Sequence, residues 1–167
     1  PIVAQSAEPI YPDDTIATLY ARIEKRGLRL LEKVIPFMVN DRLEIHPQES
    51  KERQIMPQRS PEDGCIEWMQ NAEVIDRFIR AQTKPYPGAF TMLNGVRLTI
   101  WSGELQIEDQ YDNQTIVPGQ VLKQSSRYLV VCRQGYIKLN EVSYGTQDYT
   151  APELKELFGE GGQQLGV

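Results

Sequence analysis

Apolar residues fall at Ile16, Leu19, Tyr20, Ile23, Leu30, Leu31, Val34 and Met38, the spacing of one long amphipathic helix. Asp13, Asp14 or Thr15 can cap its start. Gly27 sits on the apolar face, where a missing side chain would let a neighbouring element approach closely. Before it, PIVAQ reads as a short strand already under way, which suggests a piece of a longer chain, and PIYPDDT reads as a turn. From Asn40 to Ser60 the chain is polar, with Pro47 and Pro57, and reads as an extended connector. Pro61 to Gly64 form a turn that leads into the apolar run Cys65–Trp68. Asn71 then caps a second helix with Ala72, Ile75, Phe78 and Ile79 on one face.

After the second helix the period changes from helical to alternating. AFTML and VRLTIW flank Asn94-Gly95, the dipeptide that supplies both positive-φ positions of a type I′ hairpin turn. GQVLK, RYLVVCR and YIKLNEVSY read as further strands, a short helix starts near Ala151, and GEGGQQLGV reads as a glycine-rich tail. Several short strands at close spacing predict a small β-barrel. The expected architecture is therefore an α/β beginning followed by a mostly β domain.

The chain has 167 residues and a net charge of −5. Residues 1–60 balance nine Lys/Arg against nine Asp/Glu, so the whole imbalance lies in residues 61–167, with nine against fourteen. An acidic module is a poor partner for a phosphate backbone. There is no apolar run long enough for a membrane span and no leader pattern, which predicts a cytoplasmic protein without membrane association. Cys65 and Cys132 are too few and too far apart for a zinc cluster or a CxxC pair, and are read as reduced packing residues. No metal site is expected.

No nucleophile with its base and no phosphate loop is visible. His46 stands in the polar connector without an acid or nucleophile near it in sequence, so no catalytic role is assigned to it. The acids Asp13-Asp14 and Glu62-Asp63 stand where capping explains them. The most suggestive stretch is TKPYPGAF, Thr83 to Phe90, with Arg80 one turn before Lys84. Arg80 and Lys84 complement the helix dipole or meet an anion. Tyr86 packs in a rigid turn or contacts a flat or sugar-like group.

SPEDGCIEW, IRAQTKPYPGAF and LNGVRLTIW resemble the start of the C-terminal domain of formyltransferases that use 10-formyltetrahydrofolate, the family of methionyl-tRNA formyltransferase and the N-formyltransferases of nucleotide-linked amino sugars. PGQVL and VVCRQGYIKLNEVSYG resemble later strands of that domain, and PIVAQ, DDT and LLEKVIPFMVN resemble the last elements of the catalytic domain. The resemblance implies that residues 1–45 end a Rossmann-like formyltransferase domain, 46–60 form a linker, and 61–167 form an OB-like barrel. It also implies that the catalytic asparagine, histidine and aspartate all precede Pro1. None of the three is present here, so these residues alone are expected to be inactive, and 10-formyltetrahydrofolate is expected to be held mainly by the preceding part.

Arg80, Lys84 and Tyr86 are then candidate substrate-binding residues, with no catalytic residue assigned. The wording of PEDGCIEW and RAQTKPYPGAF resembles the sugar-modifying branch more than the tRNA branch, and the acidic second part agrees. A nucleotide-sugar substrate is expected ahead of tRNA. From another class, the barrel and helices could form a non-catalytic binding or assembly module, with a homo-oligomer as one form of it. Exposed apolar surface is expected on PIVAQ and on the long helix.

Overall fold

The computed structural model describes residues 1–48, 55–107 and 117–166. The chain divides into two compact units, Pro1–Arg59 and Ser60–Val167.

The first unit is built on helix α1, Ile16–Val39. Thr15 is the cap among the three candidates. Its side chain accepts from the Thr18 backbone N–H while the Thr18 hydroxyl accepts from the Thr15 N–H, a reciprocal capping box. The other end closes as a Schellman turn, with Asp41 at φ 53°, Asp41 N–H donating to Met38 and Arg42 N–H to Phe37 at 2.9 Å. That turn sends the chain back to His46, which exchanges two backbone hydrogen bonds with Ile2 at 2.7 and 2.9 Å.

PIVAQ therefore forms a single β-bridge, not the expected strand, because only His46 supplies backbone partners to it among the described residues. A Cβ at Gly27 would meet nothing within 4 Å, so close approach does not explain that glycine. No residue of α1 is buried. Ile23 and Val3 are exposed as expected, whereas Ile2 and Leu30 are half-covered, and Leu28, Leu31, Ile35 and Met38 form a further exposed row.

The second unit opens with a 3-10 turn, Pro61–Gly64, and helix α2, Ala72–Gln82. Asn71 holds the N-cap position, but its side chain makes no cap bond. The Ala72 N–H is instead taken by the Gln134 carbonyl at 2.9 Å, which ties the helix start to a sheet turn. Among the described residues six antiparallel strands follow: β1 (Ala89–Leu93), β2 (Val96–Gln106), β3 (Val121–Gln124), β4 (Arg127–Val131), β5 (Tyr136–Tyr144) and β6 (Gln147–Thr150). They pair in the order β1-β2-β5-β4-β3, with β6 added to the end of β5.

Asn94 and Gly95 have φ of 52° and 74°, and Leu93 pairs with Val96, as the hairpin signal requires. Strand β6 and the extension of β2 beyond Trp101 escape the sequence pattern. QDYT has no apolar alternation, and β2 is interrupted by a bulge at Trp101, between the Ile100–Val142 and Ser102–Glu141 pairs.

One face of α2 (Ala72, Ile75, Ile79) packs with Leu98, Ile100, Ile137, Leu139 and Val142 of the sheet to form the core. Helix α3, Leu154–Phe158, adds Leu154 and Phe158 to it. The C-terminal segment is more than a tail. Val121 and Gly162 donate to Gln163 and Val121 carbonyls along the outer edge of β3, Gly166 donates to Met92 of β1, and Leu165 is buried. Buried Cys132 matches a packing residue, and burial pushes its thiol up to about 12, but Cys65 is exposed and does not pack.

The PEDG and PYPGAF turns meet directly. A Cβ on Gly64 would lie 2.8 Å from the Gly88 carbonyl oxygen. Gly88 has φ +89°, and a Cβ there would collide with Thr99 Cγ2 and lie 2.8 Å from Trp101 Cζ3. Gly88→Ala combines left-handed backbone strain with overpacking and should cost on the order of 3 kcal/mol in urea unfolding. Gly95→Ala, with open space around it, should cost about 1–2 kcal/mol. Equal losses would refute the assigned contact.

Candidate functional site

Helix α2 ends where Thr83 turns outward, its hydroxyl donating to the Trp101 carbonyl at 2.8 Å. Tyr86 N–H returns to the Thr83 carbonyl and Gly88 N–H to the Gln82 carbonyl at 3.0 Å, so the PYPGAF segment folds back onto the helix end. The Lys84–Pro85 peptide is cis. Immediately beyond, the Phe90 carbonyl accepts from Ile66 N–H at 2.7 Å, and the Arg97 guanidinium lies 3.7 Å from the Phe90 ring centroid. The turn is thus fastened to α2, to β2 and to the strand-like run after PEDG.

The three residues singled out from sequence lie on α2's last turn and on this segment. Arg80 pairs with Asp76 at 2.9 Å, one turn back along α2. Lys84 pairs with Glu141 at 3.1 Å and sits 4.8 Å above the Trp101 ring. Tyr86 is exposed. Both cations are thus engaged by carboxylates. The Lys84 pair is open to water, where such pairs contribute little and exchange partners readily.

Trp101, Glu141, Ser143 and Asp148 complete the cluster and were missed in the sequence. Trp101 Nε1–H donates to Ser143 Oγ at 2.6 Å, and the Ser143 hydroxyl donates to Asp148. Strand pairing brings these residues together from β2, β5 and β6, so their sequence separation hides them. The one available signal was a tryptophan closing the strand run VRLTIW. The arrangement orients and supports. Its one hydroxyl–carboxylate pair, Ser143 with Asp148, is held by the Trp101 indole N–H and serves to fix that ring.

A second ordered cluster lies in the first unit. Asp14 accepts from Tyr11 N–H at 2.7 Å, from the Thr18 hydroxyl at 2.8 Å and from both terminal nitrogens of Arg22, a bidentate pair. Glu8 spans Arg22 and Arg26 at 2.8 and 2.6 Å. Arg22 also lies 5.0 Å from the Tyr11 ring centroid. Asp14 is therefore the anchor that pins the 6–14 strap to α1, not a helix cap. The Arg22 guanidinium, the Tyr11 amide and the Thr18 hydroxyl hold the Asp14 carboxyl far below the usual carboxylate range, and Arg22 followed by Arg26 lowers that of Glu8.

Two open grooves flank α1. One, of about 360 Å³, is lined by Val3, Lys33, Val34, Phe37, Arg42, Leu43, Glu44 and His46. The other, of about 250 Å³, is lined by Glu8, Arg22, Lys25, Arg26 and Arg29. His46 thus reaches a groove rim, a position its place in a polar segment did not reveal. Among the described residues no group of three His, Cys, Asp or Glu is placed to hold a metal. No helix among them is long and apolar enough to cross a membrane.

The antiparallel sheet backed by α2, with the PEDG and PYPGAF turns locked together, is the frame that carries the site. The chain belongs to the formyl transferase C-terminal domain family, whose model matches residues 59–156. Its fold is similar to that of HypX from Aquifex aeolicus. Two multiply substituted variants of that protein, 17% and 18% identical, superpose with a TM-score of 0.61 over 94% and 89% of this chain. A complex of HypX with tetrahydrofolic acid, 18% identical, gives 0.50 over 75% of the chain. This chain spans 27% of the length of the first two and 22% of the third.

Asp14 and Glu8 bind protons more weakly in the folded strap than in the unfolded chain. Their contribution is therefore complete above the ordinary carboxylate range and is lost as the pH falls. Amide exchange across residues 8–14, corrected for its intrinsic pH dependence, should show steady protection between about pH 8 and pH 5 and lose it below about pH 4. Asp14→Asn should reduce protection already at neutral pH. Protection independent of pH in both proteins would remove the assigned role.

Proposed function

We propose that this chain is the C-terminal portion of an enzyme that moves a formyl group from 10-formyltetrahydrofolate to the amine of a nucleotide-linked amino sugar. Membership of the formyl transferase C-terminal domain family carries the reaction class. The acceptor rests on charge. Residues 61–167 hold nine Lys/Arg against fourteen Asp/Glu, a poor surface for an RNA backbone. The fold similarity to a protein that binds tetrahydrofolic acid supports the choice of donor.

In this reading the first unit ends a Rossmann-like catalytic domain, the segment near 46–60 links it onward, and 61–167 form an OB-like barrel. Closure is supported by the C-terminal segment, which hydrogen-bonds to the outer edge of β3 through Val121 and to β1 through Met92. When bound, the folate supplies the electrophilic formyl carbon. The folate itself is assigned mainly to the rest of the parent protein: Arg80 is held by Asp76, and Lys84, whose pair with Glu141 is open to water and exchangeable, is left for the acceptor. The asparagine, histidine and aspartate of formyl transfer are assigned to the rest of the parent protein. Lys84 and Tyr86, both exposed at the PYPGAF turn, stand as wall residues toward the acceptor.

The full-length protein should formylate a nucleotide-linked 4-amino sugar with 10-formyltetrahydrofolate as donor and give no salt-sensitive shift with tRNA. The 167-residue chain alone should give no turnover. Formylation of methionyl-tRNA, or turnover by the isolated chain, would overturn the corresponding part of the proposal.

A further inference from the structure

Five cations, Arg22, Lys25, Arg26, Arg29 and Lys33, recur along α1 at spacings of three and four residues. Like charges so placed are neighbours on a helix and oppose its formation. Arg22 and Arg26 have a structural reason to be there, because they hold the strap through Glu8 and Asp14. Lys25 and Arg29 do not. Both are exposed, both line the 250 Å³ groove, and neither has an ion-pair partner among the described residues.

Four of the five residues lining this groove are cationic. Its sole lining acid, Glu8, is only 11% exposed in its side chain and spends one carboxylate oxygen on Arg22 and the other on Arg26. That fixes both guanidinium planes. Ser6 holds Arg26 further by accepting from Nη1 at 2.9 Å. The groove is smaller than ordinary apolar ligand pockets, which run from about 300 to 1,000 Å³, and every residue lining it is charged. A charged rim in which Arg22 and Arg26 are fixed suits a compact polyanion with several acceptor oxygens rather than a flat ring.

We infer that the face of α1 formed by Lys25, Arg26 and Arg29 is a binding site for phosphoryl groups, with Glu8 and Arg22 setting the position of Arg26. A linked pair of phosphates matches it best, because Lys25 and Arg29 stand one turn apart, about 6 Å along the axis. Lys25 meets one phosphate as a mobile point charge. Arg26, with Nε on Glu8 and Nη1 on Ser6, offers Nη2, and Arg29 engages oxygens through a planar donor pair. The site does not rest on the formyl-transfer reading, and it uses none of the residues assigned to the acceptor.

The probe is inorganic pyrophosphate, titrated calorimetrically into the full-length protein at low salt. Saturable binding is expected, weakening with added salt. It should fall by about tenfold in Lys25→Gln and in Arg29→Gln, the loss expected for one charge-assisted contact. Thermal stability of these variants should not fall, since neither side chain holds the strap and each substitution relieves like-charge repulsion along α1. Displacement of pyrophosphate by a nucleoside diphosphate would identify a nucleotide as the natural source of the phosphates, and displacement by duplex RNA a nucleic acid backbone. Absence of saturable pyrophosphate binding, or unchanged binding in the Lys25→Gln/Arg29→Gln double variant, overturns the inference.

Discussion

The second unit depends on one close backbone contact, that of Gly64 with the carbonyl of Gly88. Both positions exclude a side chain, Gly64 because the Gly88 oxygen fills the space, and Gly88 because Thr99 and Trp101 do. The contact fixes where the run after PEDG lies beside β1, so that Ile66 can donate to Phe90 and Arg97 can cover the Phe90 ring. It also fixes how the chain leaves α2. With the two turns locked, Ile75 and Ile79 face the sheet, and the bulge at Trp101 finds a surface to lie against.

This constraint connects packing to function. The bulge puts the Trp101 indole between the Gly88 backbone and the Lys84 ammonium, while its N–H is held by Ser143 and, through it, Asp148. Lys84 and Tyr86 are therefore carried on a turn whose shape is set from three directions. Such a turn can present side chains to a neighbouring ligand without itself doing chemistry. The first unit follows a different principle. Its strap is held by charge, with Arg22 shared between Glu8 and Asp14, and its helix leaves apolar residues such as Leu31 and Ile35 uncovered.

The sequence was most legible where one local rule dominated. The period of α1, the Asn94-Gly95 turn and the alternation of β1 all depend on residues close in sequence, and all three stand as read. It was least legible where distant segments decide the outcome. PIVAQ has strand composition but only one bridging partner, QDYT has little strand character but pairs with β5, and the glycine-rich end is recruited to the edge of β3. The same holds for the candidate site. Lys84 was visible because it adjoins a marked turn, whereas Glu141, Ser143 and Asp148 reach it only through strand register. Asp14 was read as a cap because its partner, Arg22, lies two turns away along the helix.

The claim that PEDG and PYPGAF act as one unit is tested most directly by a double-mutant cycle between Gly64→Ala and Gly88→Ala, measured by equilibrium urea unfolding. Gly64→Ala presses on the Gly88 carbonyl and Gly88→Ala displaces the same residue from Thr99 and Trp101, so if the two turns move as one unit the second should cost much less once the first is present, giving a coupling of about 1 kcal/mol or more. Losses that add to within about 0.5 kcal/mol would show two independent turns and contradict the account.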